Sequence, residues 1–297
     1  MTAYAFFLGC NIPARLTEYE TAARAVLGRL GIRLVDDRQF NCCGYPLRNT
    51  DPVAYLLSAV RNLALAERAG LDMLVLCKCC FGSLKQAMAV MAEEGPLAAQ
   101  VRRLLAGEGL RYAGRVRVRH LLALLHRDVG PEALRGGRVK HYDGLRVAVQ
   151  YGCHALRPSR VTGFDDPVNP TLFDDLVRAT GAESVDWEGR LECCGAPLTG
   201  ANDDLAVSLT RRKLSAAAKA GAHVICTACP YCQLQFAKVA GQAAAAGDQV
   251  PLPILYPQLL GLCMGVAASH LGIATDAGSL QTAGSFLTHT GVSNENG

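Results

Sequence analysis

NCCGYPL at residues 41–47 returns in the second half of the chain as ECCGAPL at residues 192–198. Each copy sets two adjacent cysteines before Gly-x-Pro-Leu, and the flanks on both sides repeat as well. Upstream, YAFFLGCN (4–11) corresponds to VAVQYGCH (147–154), an apolar run that ends in Gly-Cys. Downstream, DMLVLCKCCFGSLKQA (72–87) corresponds to AHVICTACPYCQLQFA (222–237) when Cys77 is set on Cys229 and Cys80 on Cys232. Five cysteines therefore recur in order: Cys10, Cys42, Cys43, Cys77 and Cys80, then Cys153, Cys193, Cys194, Cys229 and Cys232. Their spacings are C-x31-CC-x33-CxxC and C-x39-CC-x34-CxxC. Such self-similarity is the mark of a duplicated structural unit. The alignment sets Cys79 opposite Tyr231 and Cys226 opposite Leu74, so these two cysteines and Cys263 stand outside the shared set.

The segments between the cysteines predict the unit. TEYETAARAVLGRLG (17–31) places Tyr19, Ala22, Ala23, Val26, Leu27 and Leu30 on one helical face. Thr17 with Glu20 reads as a capping box and Gly31 as the stop. The counterpart helix starts at Asn169-Pro170 and stops at Gly181. A further helix follows each CCG, opened by Asp51-Pro52 or by Asp203 and ending at Gly70 or Gly221. A short strand then leads into each CxxC. Helical stretches at 118–126 and 254–265 close the halves, and 127–144 reads as a surface connection. The predicted fold class is α/β: two pseudo-twofold-related Rossmann-like repeats with mostly parallel sheets, each carrying a five-cysteine site. The expected division is 1–139, 144–273 and a polar, flexible tail at 274–297.

Composition narrows the classes. Of 297 residues half are hydrophobic and 19% charged, enough to bury a core. A net charge of +4, with RVRVRH (115–120) and RRK (211–213) as basic runs, fits solvated faces or docking patches for an acidic partner better than nucleic acid. MTAYAFFLGC lacks the basic start of a secretory signal and reads as a buried first strand. The apolar stretch 252–274 is interrupted by Pro253, Pro257, Gln258 and His270, so no membrane span is expected. The chain reads as soluble and cytoplasmic. Thirteen cysteines in a reducing compartment point to metal binding or redox chemistry rather than to disulfides.

The cysteines fall at the carboxyl ends of predicted strands, where open α/β sheets place their chemistry. Each CxxC opens a helix, so first-turn N–H groups favour the thiolate. In an extended chain vicinal side chains point to opposite faces. Gly44 with Pro46, and Gly195 with Pro197, supply the turn that swings both cysteines inward. Buried thiols acting as small hydrophobes account for Cys263, Cys79 and Cys226 but not for five matched pairs. A tetrahedral zinc takes four ligands and leaves one of five over. A thioredoxin-type dithiol leaves Cys10, Cys42 and Cys43 without purpose. An iron–sulfur centre accepts a fifth thiolate as a bridge between irons.

The motifs GCN…NCCGYPL…LCKCCFG and GCH…ECCGAPL…TACPYC resemble the paired CCG domains of the heterodisulfide reductase B-subunit family, over about residues 4–265. The resemblance implies one noncubane 4Fe–4S cluster per half, each held by one quintet, with a disulfide substrate between the two. It also covers the heterodisulfide reductase-like complexes of sulfur oxidation, whose substrate is sulfur on lipoate-bearing proteins, and the chain is read toward that variant. The implied partners are a ferredoxin protein like the family's C subunit and a flavoprotein like its A subunit. In keeping with this, the chain has no G-x-G-x-x-G loop and no ferredoxin-type cysteine run, so electrons must pass through another protein. A zinc ion in one site is the alternative.

Two further residues are candidate catalytic groups. His154 follows Cys153 and is placed to protonate a leaving thiolate; Lys78, inside the first CxxC, is placed to stabilise thiolate charge, the alternative being plain solvent exposure. His120 and Tyr256 hold similar places in the two halves and read as half-buried packing residues. Tyr45 aligns with Ala196, an asymmetry that shapes one side of a pocket.

Overall fold

The computed structural model describes residues 2–274 and 277–289. The first lobe runs β1 (Ala3–Phe7), α1 (Asn11–Arg15), α2 (Thr17–Arg29), β2 (Arg33–Val35), α3 (Pro52–Arg68), β3 (Asp72–Val75), α4 (Lys78–Ala92), α5 (Pro96–Gly107) and β4 (Val118–His120). A crossing segment follows: α6 (Leu121–Ala123), a π-helical turn at Leu124–Val129, α7 (Pro131–Gly136) and β5 (Lys140–Tyr142). The second lobe comprises β6 (Arg146–Val149), α8 (Ser159–Thr162), α9 (Leu172–Ala179), β7 (Glu183–Val185), α10 (Asp203–Lys219), β8 (Val224–Thr227), α11 (Pro230–Ala245), β9 (Leu252–Leu255) and α12 (Tyr256–Cys263). The chain continues to α13 (Gly278–Gly284) and β10 (Leu287–His289).

Each lobe is built on a four-stranded parallel sheet, in the orders β2-β1-β3-β4 and β7-β6-β8-β9. Tyr4 stands opposite Asp72 and Phe7 opposite Val75; Val147 stands opposite Val224 and Val149 opposite Cys226. The central strands are apolar without alternation, because helices cover a parallel sheet on both faces. Leu74, Val75, Val147, Val149 and Ile225 are fully buried, each worth about 1.5–3 kcal/mol of transfer free energy. In both sheets the strand order turns back at the first strand of the lobe. A cleft therefore opens beyond the carboxyl ends of β1 and β3, and of β6 and β8. The α/β fold class, with two repeats and parallel sheets, is as expected from the sequence.

Several local expectations differ from the structure. Residues 118–126 are not one helix: Val118–His120 pairs in parallel with β3, Met73 opposite Val118 and Val75 opposite His120. Ile254 and Leu255 likewise belong to β9 before α12 begins. Runs buried at nearly every position lack the continuous polar face that would distinguish the two periods. Thr17 lies within α2 and makes no cap; Glu20 instead pairs with Arg24 at 2.8 Å. The second-lobe counterpart starts at Leu172 rather than Asn169, its first amides held by the Asp165 carboxylate at 3.0 and 2.9 Å. Asp51 caps α3 as expected, accepting from Ala54 N–H at 2.9 Å; for α10 the cap is Asn202, not Asp203. Part of the expected tail is structured: α13 packs on β9, and β10 pairs antiparallel with β5. Residues 290–297 lie outside the described residues.

One apolar core runs through both lobes. Helix α2 packs on α12, and α4 packs on α8. Arg29 Nη1 donates to the Met264 carbonyl at 2.7 Å. A Cβ on Gly82 of α4 would lie 2.6 Å from the His154 carbonyl oxygen, so the lobes meet backbone to backbone there. That contact brings the two cysteine-bearing ends together.

Candidate metal centre

Glycine builds the loops that carry the sulfurs. Gly9 has φ +67°, and a Cβ there would lie 2.8 Å from Cys80 Sγ; at Gly152, φ +72°, the corresponding distance to Cys232 Sγ is 3.9 Å. Gly44 and Gly195 have φ of +79° and +90°, and a Cβ on either would sit 2.5 Å from a carbonyl oxygen, of Tyr55 or Ala206. The CCG turns are thereby pressed onto α3 and α10, and 3₁₀ turns at Tyr45–Leu47 and Ala196–Leu198 complete them. Cys77 and Cys229 are the N-cap residues of α4 and α11. Cys77 Sγ accepts from the Cys80 N–H at 3.5 Å.

The ten predicted cysteines form a continuous line of mutually interacting thiols. Cys10 and Cys42 Sγ are 3.7 Å apart. From Cys42 the contacts run through Cys43 and Cys80 to Cys77. In the second lobe they run from Cys153 through Cys193, Cys194 and Cys232 to Cys229. The two lines join at the lobe junction, where the sulfurs of Cys77, Cys79 and Cys229 lie within 4.8 Å of one another. Cys79, unassigned by the repeat, is thus at the seam. Cys226 in β8 and Cys263 in α12 are fully buried away from this line. Burial is graded: Cys10, Cys42, Cys153 and Cys193 are partly open to solvent and the other members are buried.

The electrostatics repeat with the sequence. Cys42 and Cys193 are each held down to about 2, chiefly by hydrogen bonding with the side chains of Cys10 and Cys43, or of Cys153 and Cys194. Backbone N–H groups of Gly44 and Gly195 add to this, the latter at 3.4 Å. Their partners shift the opposite way: Cys43 and Cys194 go up to about 12, and Cys10 and Cys153 rise as well. Cys229 is lowered by Cys232, Cys77 and Cys79. Packing thiols against thiols satisfies few polar groups by itself, and burying several thiolates without a positive centre is costly. All-sulfur donor sets suit soft cations and iron–sulfur cores. The turn amides directed at sulfur are the outer contacts such a centre needs.

His154 stands at the seam. Its Nδ1 is 3.3 Å from Cys153 Sγ and 3.5 Å from Cys79 Sγ, and its Nε2 is 3.3 Å from Arg48 Nη1. Burial and then Arg48 lower its pKa. Its ring meets Tyr45 edge-on at 4.9 Å, and Tyr45 meets Tyr231 of the other lobe at 5.9 Å. Arg48 and Tyr231 had no individual signal in the sequence, although the repeat alignment places Tyr231 in the slot of Cys79. Lys78 is not solvent-exposed: it is 2% accessible, and Nζ donates to the carbonyls of Gln150 at 2.7 Å and Tyr151 at 2.9 Å. His120 and Tyr256 are fully rather than half buried. His120 Nδ1 accepts from Leu122 N–H at 3.2 Å, and Tyr256 donates to the Leu176 carbonyl at 2.9 Å.

Most basic residues of the two runs form solvated surface, with Arg115, Arg117, Arg211 and Arg212 exposed. Arg115, Arg117 and Arg119 pair with Glu67, Asp72 and Asp128 at 3.8, 2.7 and 3.4 Å, and Lys213 is buried.

Comparison with known proteins agrees with the duplication. The CCG cysteine-rich domain family matches residues 4–85 and again residues 147–237. The chain is 36% identical to the B subunit of the ferredoxin:CoB-CoM heterodisulfide reductase of Methanosarcina mazei, over 93% of this chain and 94% of that one. It is 36% identical to the 8-methylmenaquinol:fumarate reductase membrane anchor subunit of Wolinella succinogenes, over 91% and 95%. A protein of Archaeoglobus profundus that is itself named as like the heterodisulfide reductase B subunit is 34% identical, over 89% and 91%. Among solved structures, a hypothetical protein from Helicobacter pylori shares the fold with a TM-score of 0.70 at 15% identity, over 92% of this chain and 51% of that one. Among the described residues no helix is long and apolar enough to cross a membrane.

Proposed function

The chain belongs to the CCG cysteine-rich family that includes the heterodisulfide reductase B subunits, and from that premise we propose that it is the catalytic, thiol–disulfide-handling component of a larger redox complex. In this reading Cys10, Cys42, Cys43, Cys77 and Cys80 hold one noncubane 4Fe–4S cluster, and Cys153, Cys193, Cys194, Cys229 and Cys232 hold a second. The observation that carries it is the line of neighbouring thiols running through the corresponding cysteines of both lobes, with a backbone amide directed at Cys77 in the first lobe and at Cys193 in the second. When bound, the clusters supply one-electron transfer and an iron site for a substrate sulfur. The overall change is RSSR′ + 2e⁻ + 2H⁺ → RSH + R′SH, or its reverse.

This chain's own residues serve the remaining needs. His154 Nδ1, between Cys153 and Cys79, is placed to give or take the proton of a thiol at the seam. Arg48 orients the ring from its other nitrogen, and Tyr45 and Tyr231 wall the seam from solvent. Electrons come from a ferredoxin protein of the C-subunit type or pass to a flavoprotein of the A-subunit type. The substrate is a disulfide, a thiol or lipoate-bound sulfur, handled in cytoplasmic sulfur oxidation. A second reading, a zinc-stabilised assembly component, draws on the closeness of Cys77, Cys79 and Cys229. It gives Cys10, Cys42 and Cys43 no role.

Anaerobic purification with iron, acid-labile sulfide and zinc analysis tests the reading. Two clusters require about eight iron and about eight sulfide per chain. Zinc near one per chain without labile sulfide sinks it.

A further inference from the structure

The two lobes are copies, but their buried cations are not. Lys213 of α10 is 2% accessible; its ammonium donates to the carbonyls of Gly189 and, at 3.3 Å, of Glu192, and lies 4.8 Å over the Trp187 ring. Glu192 is the residue directly before Cys193, and its own carboxylate is engaged by Arg212 at 2.7 Å. Lys78 reaches across the seam. Its ammonium donates to the carbonyls of Gln150 and Tyr151, in the loop that leads through Gly152 to Cys153, and lies 5.0 Å from the Phe173 ring. Carbonyl oxygens and aromatic faces both favour a charged lysine. Each of these cations therefore supports a loop of the second quintet. Burial lowers the pKa of both lysines, that of Lys213 to about 8, and the neighbouring sulfurs act against that shift: Cys232, Cys229 and Cys153 on Lys78, and Cys232, Cys194 and Cys193 on Lys213.

At the first quintet the equivalent positions are neutral. In the repeat, Lys213 corresponds to Asn62, which is fully buried and does the same mechanical work without charge. Asn62 Nδ2 donates to the Cys42 carbonyl at 3.2 Å, and its Oδ1 accepts from Asn41 N–H at 2.9 Å. Lys78 corresponds to Pro230, which lines the cavity beside Cys10, Cys42 and Cys43. Both differences put a positive charge on the same side.

We propose that Lys78 and Lys213 make the two cluster sites electrically unequal, holding the second quintet's cluster at the higher reduction potential. The proposal rests on the cluster reading above. Reduction adds negative charge, which a nearby cation stabilises, and burial leaves that attraction little screened. The two lysines act through the loops and the field; they are positioning residues.

The test is a potentiometric titration of the anaerobically loaded protein followed by electron paramagnetic resonance, with iron and sulfide assayed on each sample. Wild type shows two cluster signals with separate midpoints. Lys213→Asn, which copies the first lobe, lowers the higher midpoint and leaves the lower one in place. Asn62→Lys raises the lower midpoint. Each change is expected to reach at least a tenfold difference in the reduced-to-oxidised ratio at fixed potential, about 59 mV for one electron. If Lys213→Asn loses its iron, Lys78→Met and Asn62→Lys carry the test. Coincident midpoints in loaded wild type, or midpoints that ignore these substitutions, overturn the proposal alone. Wild type without iron and sulfide overturns the cluster reading and this proposal with it.

Discussion

Substituting alanine at Gly9 and, separately, at Gly152 tests whether the loops after β1 and β6 are shaped around sulfur. Both glycines have positive φ, +67° and +72°, so each alanine bears the same left-handed backbone cost of about 1–2 kcal/mol. The surroundings differ. The new Cβ at position 9 lies 2.8 Å from Cys80 Sγ, well inside ordinary contact, whereas at position 152 the nearest sulfur, Cys232 Sγ, is 3.9 Å away. Gly9→Ala therefore adds an overpacking cost of about 1–3 kcal/mol and must displace Cys80 Sγ from Cys43 and Cys77. Gly152→Ala should lower stability by about 1–2 kcal/mol and keep its full iron. Gly9→Ala should be destabilised by about 2–5 kcal/mol and lose about half its iron and sulfide. Anaerobic denaturant titration with iron and sulfide analysis measures both. Equal denaturation midpoints with full iron in both variants would refute the reasoning.

Three other outcomes follow from the geometry. Cys42→Ser should remove about half the iron while Cys79→Ser keeps it, since Cys79 is outside both quintets; iron loss in Cys79→Ser would show the ligand set to be drawn wrongly. Burial, then Lys78, lowers the pKa of His120 from 6.5 to about 3, so the folded state refuses a proton that the unfolded state accepts. Stability present above pH 6.5 should fall by about 1.4 kcal/mol per unit as pH drops from there toward 3. His120→Gln should flatten that slope, and an unchanged slope by denaturant titration at pH 7 and pH 5 would contradict the assignment. Tyr151→Phe should cost about 1–3 kcal/mol at unchanged iron content. The hydroxyl donates to buried Asp174 at 2.7 Å and accepts from Phe173 N–H at 2.9 Å, and denaturation at pH 7 reads its loss.

Read in order, the residues themselves announced the duplication, the five-membered cysteine sets, the glycine-shaped turns and the parallel α/β unit. These are local: strand, turn and cap are set by side chains a few positions apart, and two copies of one pattern reinforce each other. The failures were local ambiguities of a particular kind. VRHLLALLH is buried except at Arg119 and His126, so no continuous polar face marks where strand becomes helix. The Asp165 carboxylate that holds the start of α9 stands several residues upstream, beyond the reach of a box motif.

Only the tertiary structure decided that the two cysteine sets form one seam. Cys79 joins Cys77 and Cys229, and Lys78 supports the opposite lobe, because α4 packs against the loop after Cys153. Residue spacing carries no record of how two lobes dock. That arrangement is fixed by which apolar faces bury each other, and it places the charges that nothing in either repeat, taken alone, could assign to a site.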